Sequence, residues 1–163
     1  MRLYLPATLD ELDALHKGTM TVEPRRAHAA TQSLAAALAD EDVTDVEEVE
    51  FEAQLAAADD SVLAIAAKPS VAWLRVVLSV DVPDSLVRPS VPLAGEAPED
   101  VPLSAVDVTE RVTGVVVVCA HVDEPEAASD VQAVLGGDED AMERLVERDL
   151  LWYDASELGA IPR

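Results

Sequence analysis

Cysteine, glycine, asparagine and positive charge are all scarce in this chain of 163 residues. Cys119 is the only cysteine, so no disulfide can form within the chain. Asparagine is absent, which excludes N-glycosylation. The six glycines form no GxxxxGK[ST] or GxGxxG pattern, and HExxH, GxSxG and CxxC are missing as well. These absences disfavour NTPases, dehydrogenases, zinc proteases and α/β-hydrolases.

Basic side chains are too few to bind a polyanion. The chain has 11 lysines and arginines against 33 acids, a formal net charge of −22. Nucleic-acid binding needs clustered lysine and arginine, and an anionic membrane surface attracts the same residues. We therefore expect neither partner. A solvated acidic surface explains the charge, and mimicry of a nucleic acid is the alternative.

Half of the residues are hydrophobic, but only one Phe, two Trp and two Tyr are aromatic. A chain of this length can bury a core without disulfides, and this core must be mainly aliphatic. The first residues lack the basic start and long apolar run of a signal peptide. No apolar run is long enough to span a membrane. The cytoplasm is therefore the expected compartment.

Hydrophobic periodicity predicts an α+β fold. The expected strands are residues 3–5, 74–82, 113–122 and 150–154. The expected helices are residues 8–17, 24–39, 45–67, 123–135 and 139–148, the first with a capping box at Thr8 and Glu11. Along residues 45–67 the predicted buried positions are Val46, Val49, Ala53, Ala56 or Ala57, Val62 and Ala66.

This order predicts one domain over residues 1–163, with an antiparallel sheet of about four strands and helices mainly on one face. It fits an elaborated ferredoxin-like βαββαβ arrangement. Five prolines with acids among them predict an exposed connection at about residues 83–102.

Six segments together resemble one family: MRLYLPATLDEL, AHAATQSL, EEVEFEAQLAAA, RVVLSVDVPD, HVDEPEAASDV and DLLWYDASEL. They are similar, in order, to short actinobacterial proteins that form a domain of unknown function. The resemblance covers most of the chain and weakens over roughly residues 84–118. It implies a cytoplasmic bacterial protein, and it carries over no activity, cofactor or catalytic residue.

The most site-like segment is Cys119 to Glu124, where a strand is expected to give way to a helix. Cys119, His121 and Asp123 share one face of a regular strand. Cysteine beside histidine can supply a nucleophile and a base, and a helix N-terminus attracts anions. The alternative is structural, with a buried Cys119, a hydrogen-bonded His121 and a helix cap at Asp123. A metal site needs a further ligand, and nothing in the spacing couples His16 or His28 to His121.

Three other features have a functional and a structural interpretation. The pair Arg25–Arg26 could bind an anion or form salt bridges with nearby acids. The acids Glu47, Glu48, Glu50 and Glu52 lack the glycine and ligand order of a calcium loop, which favours a solvated helix face. Trp152 and Tyr153 fall on opposite faces of the last strand, so one ring could face a ligand beside Tyr4.

The run Val115–Val118 is apolar on both faces, so something must cover the face opposite the core. Helices of the same chain could cover it, or a second copy could. We predict a homodimer through the open sheet face, with His121, Arg75 and Tyr4 near its rim. A non-enzymatic interaction or regulatory protein without a cofactor follows, either dimeric or bound to a basic partner. The alternative is a small-molecule binder or small enzyme that uses the sheet face near His121.

Overall fold

The computed structural model describes residues 1–15, 18–68 and 70–162, and within them eight strands form one antiparallel sheet. The strands run in the order β2-β7-β4-β1-β3-β6-β5, and β8 also pairs with β7. Their bounds are β1 Arg2–Ala7, β2 Thr19–Val22, β3 Arg25–His28, β4 Val76–Asp81, β5 Val87–Pro89, β6 Ala105–Val108, β7 Val112–Val122 and β8 Leu151–Asp154.

The α+β class and the antiparallel sheet are confirmed, but the predicted number of about four strands is wrong. The four predicted strands correspond to β1, β4, β7 and β8. The other four have three or four residues each, too short for an alternating pattern to stand out. The ferredoxin-like arrangement is not confirmed, because these short strands extend the sheet beyond it.

The sheet has to curl, because β2 and β3 are consecutive in the chain but are four positions apart in the sheet. Four strand spacings span about 19 Å when flat. Only Glu23 and Pro24 lie between the two strands, and three residue steps reach about 11 Å. Strands β2 and β3 must therefore come close together, which requires the strands from β2 to β3 to curl around the core.

The main hydrophobic core fills the inside of this curl. Alternate residues of β1 and β4 point into the core. Strand β7 has a register shift between Val117 and Cys119, and residues on both sides of this shift also point into the core. The alternation predicted for β4 is thereby confirmed at Val76, Leu78 and Val80. The largest buried contributors are Leu3, Leu5, Val22, Val76, Leu78, Val80, Val108 and Val117.

Five α-helices lie among the described residues, with bounds α1 Leu9–Asp13, α2 Gln32–Ala39, α3 Val46–Ala67, α4 Ala128–Leu135 and α5 Glu139–Val146. The Thr8 N–H donates to the Glu11 side chain at 3.2 Å, as the predicted capping box requires. The predicted end of this helix at about Lys17, like His16, lies outside the described residues. The helix predicted from Pro24 is wrong in its first part, where β3 forms instead.

Helix α3 covers the outer face of the sheet and positions the candidate site. Its buried residues recur every four positions, at Val49, Ala53, Ala57, Ser61 and Ile65. The small alanines let the helix approach the sheet closely, where it packs on Tyr4 and Val77. The helix itself is confirmed, although Val46 and Ala66 are exposed, contrary to prediction.

The segment 83–102 is largely exposed, as expected, but it contains the short strand β5, whose Val87 is buried.

Helices α4 and α5 pack against the C-terminal end of α3, where Val131 and Leu145 join Ile65 in a second, smaller hydrophobic cluster. Within the described residues, no helix combines the length and the apolar character needed to cross a membrane.

Candidate binding groove

A groove runs along α3 on the outer face of the sheet, beside the edge strand β8. We call it the Trp152 groove, and its volume is about 450 Å³. It is lined by Phe51, Gln54, Leu55, Ala58, Arg75, His121, Val146, Arg148, Asp149, Leu150 and Trp152.

Strand register places Trp152 in the groove. Trp152 lies directly opposite His121 in the β7–β8 pair, and His121 lies opposite Val77 in the β4–β7 pair. Residues paired across strands point to the same face. All three side chains therefore face α3, while Tyr153 packs on the main core from the other side. The prediction that Trp152 and Tyr153 occupy opposite faces is confirmed.

The groove exposes three large apolar side chains. Phe51 is 51% exposed, Trp152 is 59% exposed and Val146 is 61% exposed. They come from α3, β8 and α5, so the patch is assembled from three separate parts of the chain. Aromatic anchors in an apolar groove are typical of sites that bind another protein.

His121 is one of the polar residues that line the groove, together with Gln54, Arg75, Arg148 and Asp149. Its Nδ1 is buried and has no hydrogen-bond partner among the described residues. Burial lowers the pKa of His121, since desolvation disfavours the charged ring. The neutral imidazole therefore has a free donor or acceptor, depending on its tautomer.

Tyr4 lies beside this groove in an adjoining hollow of about 260 Å³, which also contains Glu47, Glu50 and His121. The phenol of Tyr4 is buried, and burial, followed by the nearby Glu50 carboxylate, raises its pKa. Tyr4 is therefore a neutral phenol at physiological pH. The carboxylates of Glu47 and Glu50 line this hollow. The groove itself is lined by Asp149 and by Arg75 and Arg148, whose guanidinium groups are paired with Asp123 and Asp130.

Arg75 and Asp123 form a buried ion pair next to the groove. Their side chains are 3% and 0% exposed. The carboxylate of Asp123 accepts from the Arg75 guanidinium at 2.8 Å and from the Arg75 backbone N–H at 2.8 Å. The predicted helix cap at Asp123 is wrong, because this carboxylate binds Arg75 instead. A further guanidinium bond reaches the Arg148 carbonyl at 3.2 Å and ties the segment that follows α5 to the residue that precedes β4.

Cys119 lies on the same face as His121 but is a buried free thiol. No hydrogen bond joins the two side chains within the described residues. Cys119 instead lies opposite Ser79 in one strand pair and Asp154 in the other. The structure thus brings Tyr4 and His121 together in one hollow, but not Cys119 with a base.

The two arginines predicted as an alternative site are held by contacts within the chain, and most of the predicted acids are exposed. Arg25 bonds to Glu11 and to the Pro6 carbonyl, and Arg26 bonds to Glu96. Glu47, Glu48 and Glu52 are exposed on α3. No group of three metal-ligating side chains occurs in residues 1–15, 18–68 and 70–162.

Sequence reasoning missed Phe51 and Val146 as parts of the site. The sequence did contain one signal for Phe51. It is the only phenylalanine, it lies among the acids of α3, and the helical pattern does not place it among the buried positions, so an exposed aromatic side chain could have been expected. Val146 could not be found this way, because its contact with the groove depends on the packing of α5.

The chain belongs to a family of unknown function (DUF6912), whose model matches residues 1–161. The expected membership in a domain of unknown function is confirmed. No curated protein and no solved structure matches the chain.

Proposed function

We propose that this acidic protein is a cytoplasmic, non-enzymatic interaction protein that binds a basic segment of a partner protein in the Trp152 groove. The observation that carries this proposal is the exposure of Phe51 and Trp152 in one groove that adjoins a hollow lined by Glu47 and Glu50. In a core rich in aliphatic residues, two of only five aromatic side chains are left more than half exposed. Exposed aromatics of this kind are typical binding anchors.

Charge favours a basic partner over a second copy. Each chain has a formal net charge of −22, so two copies repel each other. A lysine or arginine is attracted to Asp149 in the groove and to Glu47 and Glu50 in the adjoining hollow. The arginines of the groove, Arg75 and Arg148, are already paired with Asp123 and Asp130. A lysine or arginine of the bound segment can also lie over the ring of Trp152 or Phe51, a contact worth about 0.5–1 kcal/mol at exposed sites.

The open edge of β8 supports an extended partner. Among the described residues β8 pairs only with β7, so its other edge has no strand neighbour. An exposed edge strand can add a peptide strand through backbone hydrogen bonds. A peptide on β8 would place its side chains beside Trp152.

A small molecule is the second candidate occupant, and His121 favours it. The unpartnered Nδ1 leaves a buried hydrogen-bonding group at the floor of the groove. Because Nδ1 is buried, a ligand with one polar atom and an apolar body would satisfy it after a turn of the imidazole ring that brings Nδ1 to the groove. Native mass spectrometry of the purified protein tests this candidate, because a retained metabolite adds its mass to 17.3 kDa.

Titration calorimetry with designed peptides tests the proposal. The probe is a peptide that alternates lysine and leucine, and its two comparators replace leucine with serine or lysine with glutamate. We expect only the lysine–leucine peptide to bind well, since it has both the charge and the apolar anchors. Trp152→Ala should weaken its binding about tenfold or more, which corresponds to about 1.4 kcal/mol.

Val116→Ala is the matched control, because Val116 is also an exposed apolar residue but lies on β7 away from the groove. It should leave the dissociation constant unchanged. Equal binding of the lysine–serine peptide, or equal effects of both substitutions, would show that the attraction is only electrostatic and would contradict the proposal.

A further inference from the structure

A second cavity lies on the opposite flank of α3, between this helix and the connection that precedes β6. We call it the Asp60 cavity, and its volume is about 560 Å³. This volume is in the range of small-molecule sites. Its wall includes Arg26, Asp60, Leu63, Leu93, Glu96 and Asp100. It shares no residue with the Trp152 groove.

The Asp60 carboxylate is held by a hydrogen-bond chain through the buried residues His28 and Ser104. The Nε2 of His28 lies 3.0 Å from the Asp60 carboxylate, and its Nδ1 lies 2.8 Å from the Ser104 hydroxyl. His28 and Ser104 are buried, whereas the Asp60 side chain is 23% exposed at the cavity wall. In the neutral tautomer with the proton on Nε2, His28 donates to Asp60 and accepts from Ser104. The two hydrogen bonds thus fix the orientation of the Asp60 carboxylate.

The cation in the cavity wall is already paired. The guanidinium of Arg26 donates to both carboxylate oxygens of Glu96, at 2.9 and 2.7 Å. It also donates to the Ser90 hydroxyl and to the Val91 carbonyl, each at 3.0 Å. The Arg26 bond lowers the pKa of Glu96 to about 2, so this pair stays ionised and is neutral as a whole. The wall thus holds three carboxylates, from Asp60, Glu96 and Asp100, against one guanidinium, so the cavity is negative overall.

Apolar side chains face the same cavity. Leu63 from α3 and Leu93 from the connection are both more than half exposed. An exposed apolar wall beside an oriented carboxylate matches a molecule with an apolar body and a positive end. The excess of carboxylates in the wall repels anions.

We infer that the Asp60 cavity binds a small organic amine, whose ammonium group pairs with Asp60 and whose apolar body packs against Leu63 and Leu93. The hydrogen bonds from His28 and Ser104 fix the carboxylate for this contact, so less side-chain freedom is lost on binding. This site goes beyond the proposed partner interaction and does not depend on it.

Methyl and amide NMR titration with phenethylamine tests the inference. Saturable shifts are expected at Leu63 and Leu93, whereas phenethyl alcohol and phenylacetate should give weak or no shifts because they lack the cation. Asp60→Asn should weaken amine binding about tenfold or more. Asp59→Asn is the control, because it removes a carboxylate from the preceding residue of α3, which does not line the cavity. It should change the affinity less than twofold.

Leu63→Asn provides a second variant if Asp60→Asn does not fold, since Leu63 is an exposed side chain. It should weaken phenethylamine binding without lowering the melting temperature. Trp152→Ala should leave amine binding unchanged, which separates this test from that of the groove. The inference is overturned if phenethylamine gives no saturable shifts, if the alcohol binds equally well, or if Asp59→Asn and Asp60→Asn have the same effect.

Discussion

Asp123 accepts hydrogen bonds from both the guanidinium and the backbone N–H of Arg75 in an almost fully buried ion pair. Removing one partner leaves the other charge buried and uncompensated. We therefore expect Asp123→Ala to lower the free energy of unfolding by about 3–5 kcal/mol. Urea denaturation of the purified variant measures this loss.

Asp81→Ala is the control for that ion pair, because it removes the partner of Arg2 in a pair that is more than one-third exposed on both sides. Exposed pairs contribute less than about 1 kcal/mol. Similar losses for Asp81→Ala and Asp123→Ala would contradict the buried-pair account.

Ser61 connects α3 to the sheet. Its hydroxyl donates to the Ala7 carbonyl at 2.7 Å and accepts from the Val76 N–H at 2.9 Å. Ser61→Ala leaves both backbone groups unpaired in a buried place, so the unfolding free energy should fall by about 2–3 kcal/mol. Ser129→Ala removes an exposed hydroxyl bonded to a helix carbonyl and should cost at most about 0.5 kcal/mol. Equal thermal stability of the two variants would show that the hydrogen bonds of Ser61 do not stabilise the attachment of α3 to the sheet.

His121 should make stability depend on pH. Burial lowers the folded pKa below the ordinary value of 6.5, so the unfolded chain takes up the proton first as the pH falls. The contribution is complete above the ordinary pKa and is lost as the pH falls from 6.5 toward the lower folded value. His121→Leu should remove this contribution. Unfolding free energies measured between about pH 8 and pH 5 for both proteins give the difference. Parallel curves would argue against a neutral, desolvated His121.

The long elements could be predicted from the sequence because their periodicity is strong. Helix α3 and strand β7 match their predicted bounds to within about one residue, and β4 shows its inward face clearly. Strand β3 was read as helix because Pro24 suits a first helical turn and four residues carry little periodic signal. Its place beside β1 is a tertiary effect that local propensity does not encode.

The site was only partly predictable for the same reason. Tyr4 and His121 do lie in one hollow, and Arg75 lies at the neighbouring groove. The sheet face that was expected to be open is covered by α3, which packs on Tyr4 and Val77. The pairing of Trp152 with His121 needs the register of β7 and β8, which are separated by two helices in the chain. The partners of Asp123 and His28 come from distant segments, so neither hydrogen-bond pattern could be read from spacing.

Amide and indole NMR shift mapping with the lysine–leucine peptide tests the central claim, the binding of a basic segment in the Trp152 groove, most directly. The account predicts shifts confined to the Trp152 indole, His121, the first half of α3 and residues 146–152. Shifts scattered over the acidic surface, or centred on Leu63 across α3, would contradict it.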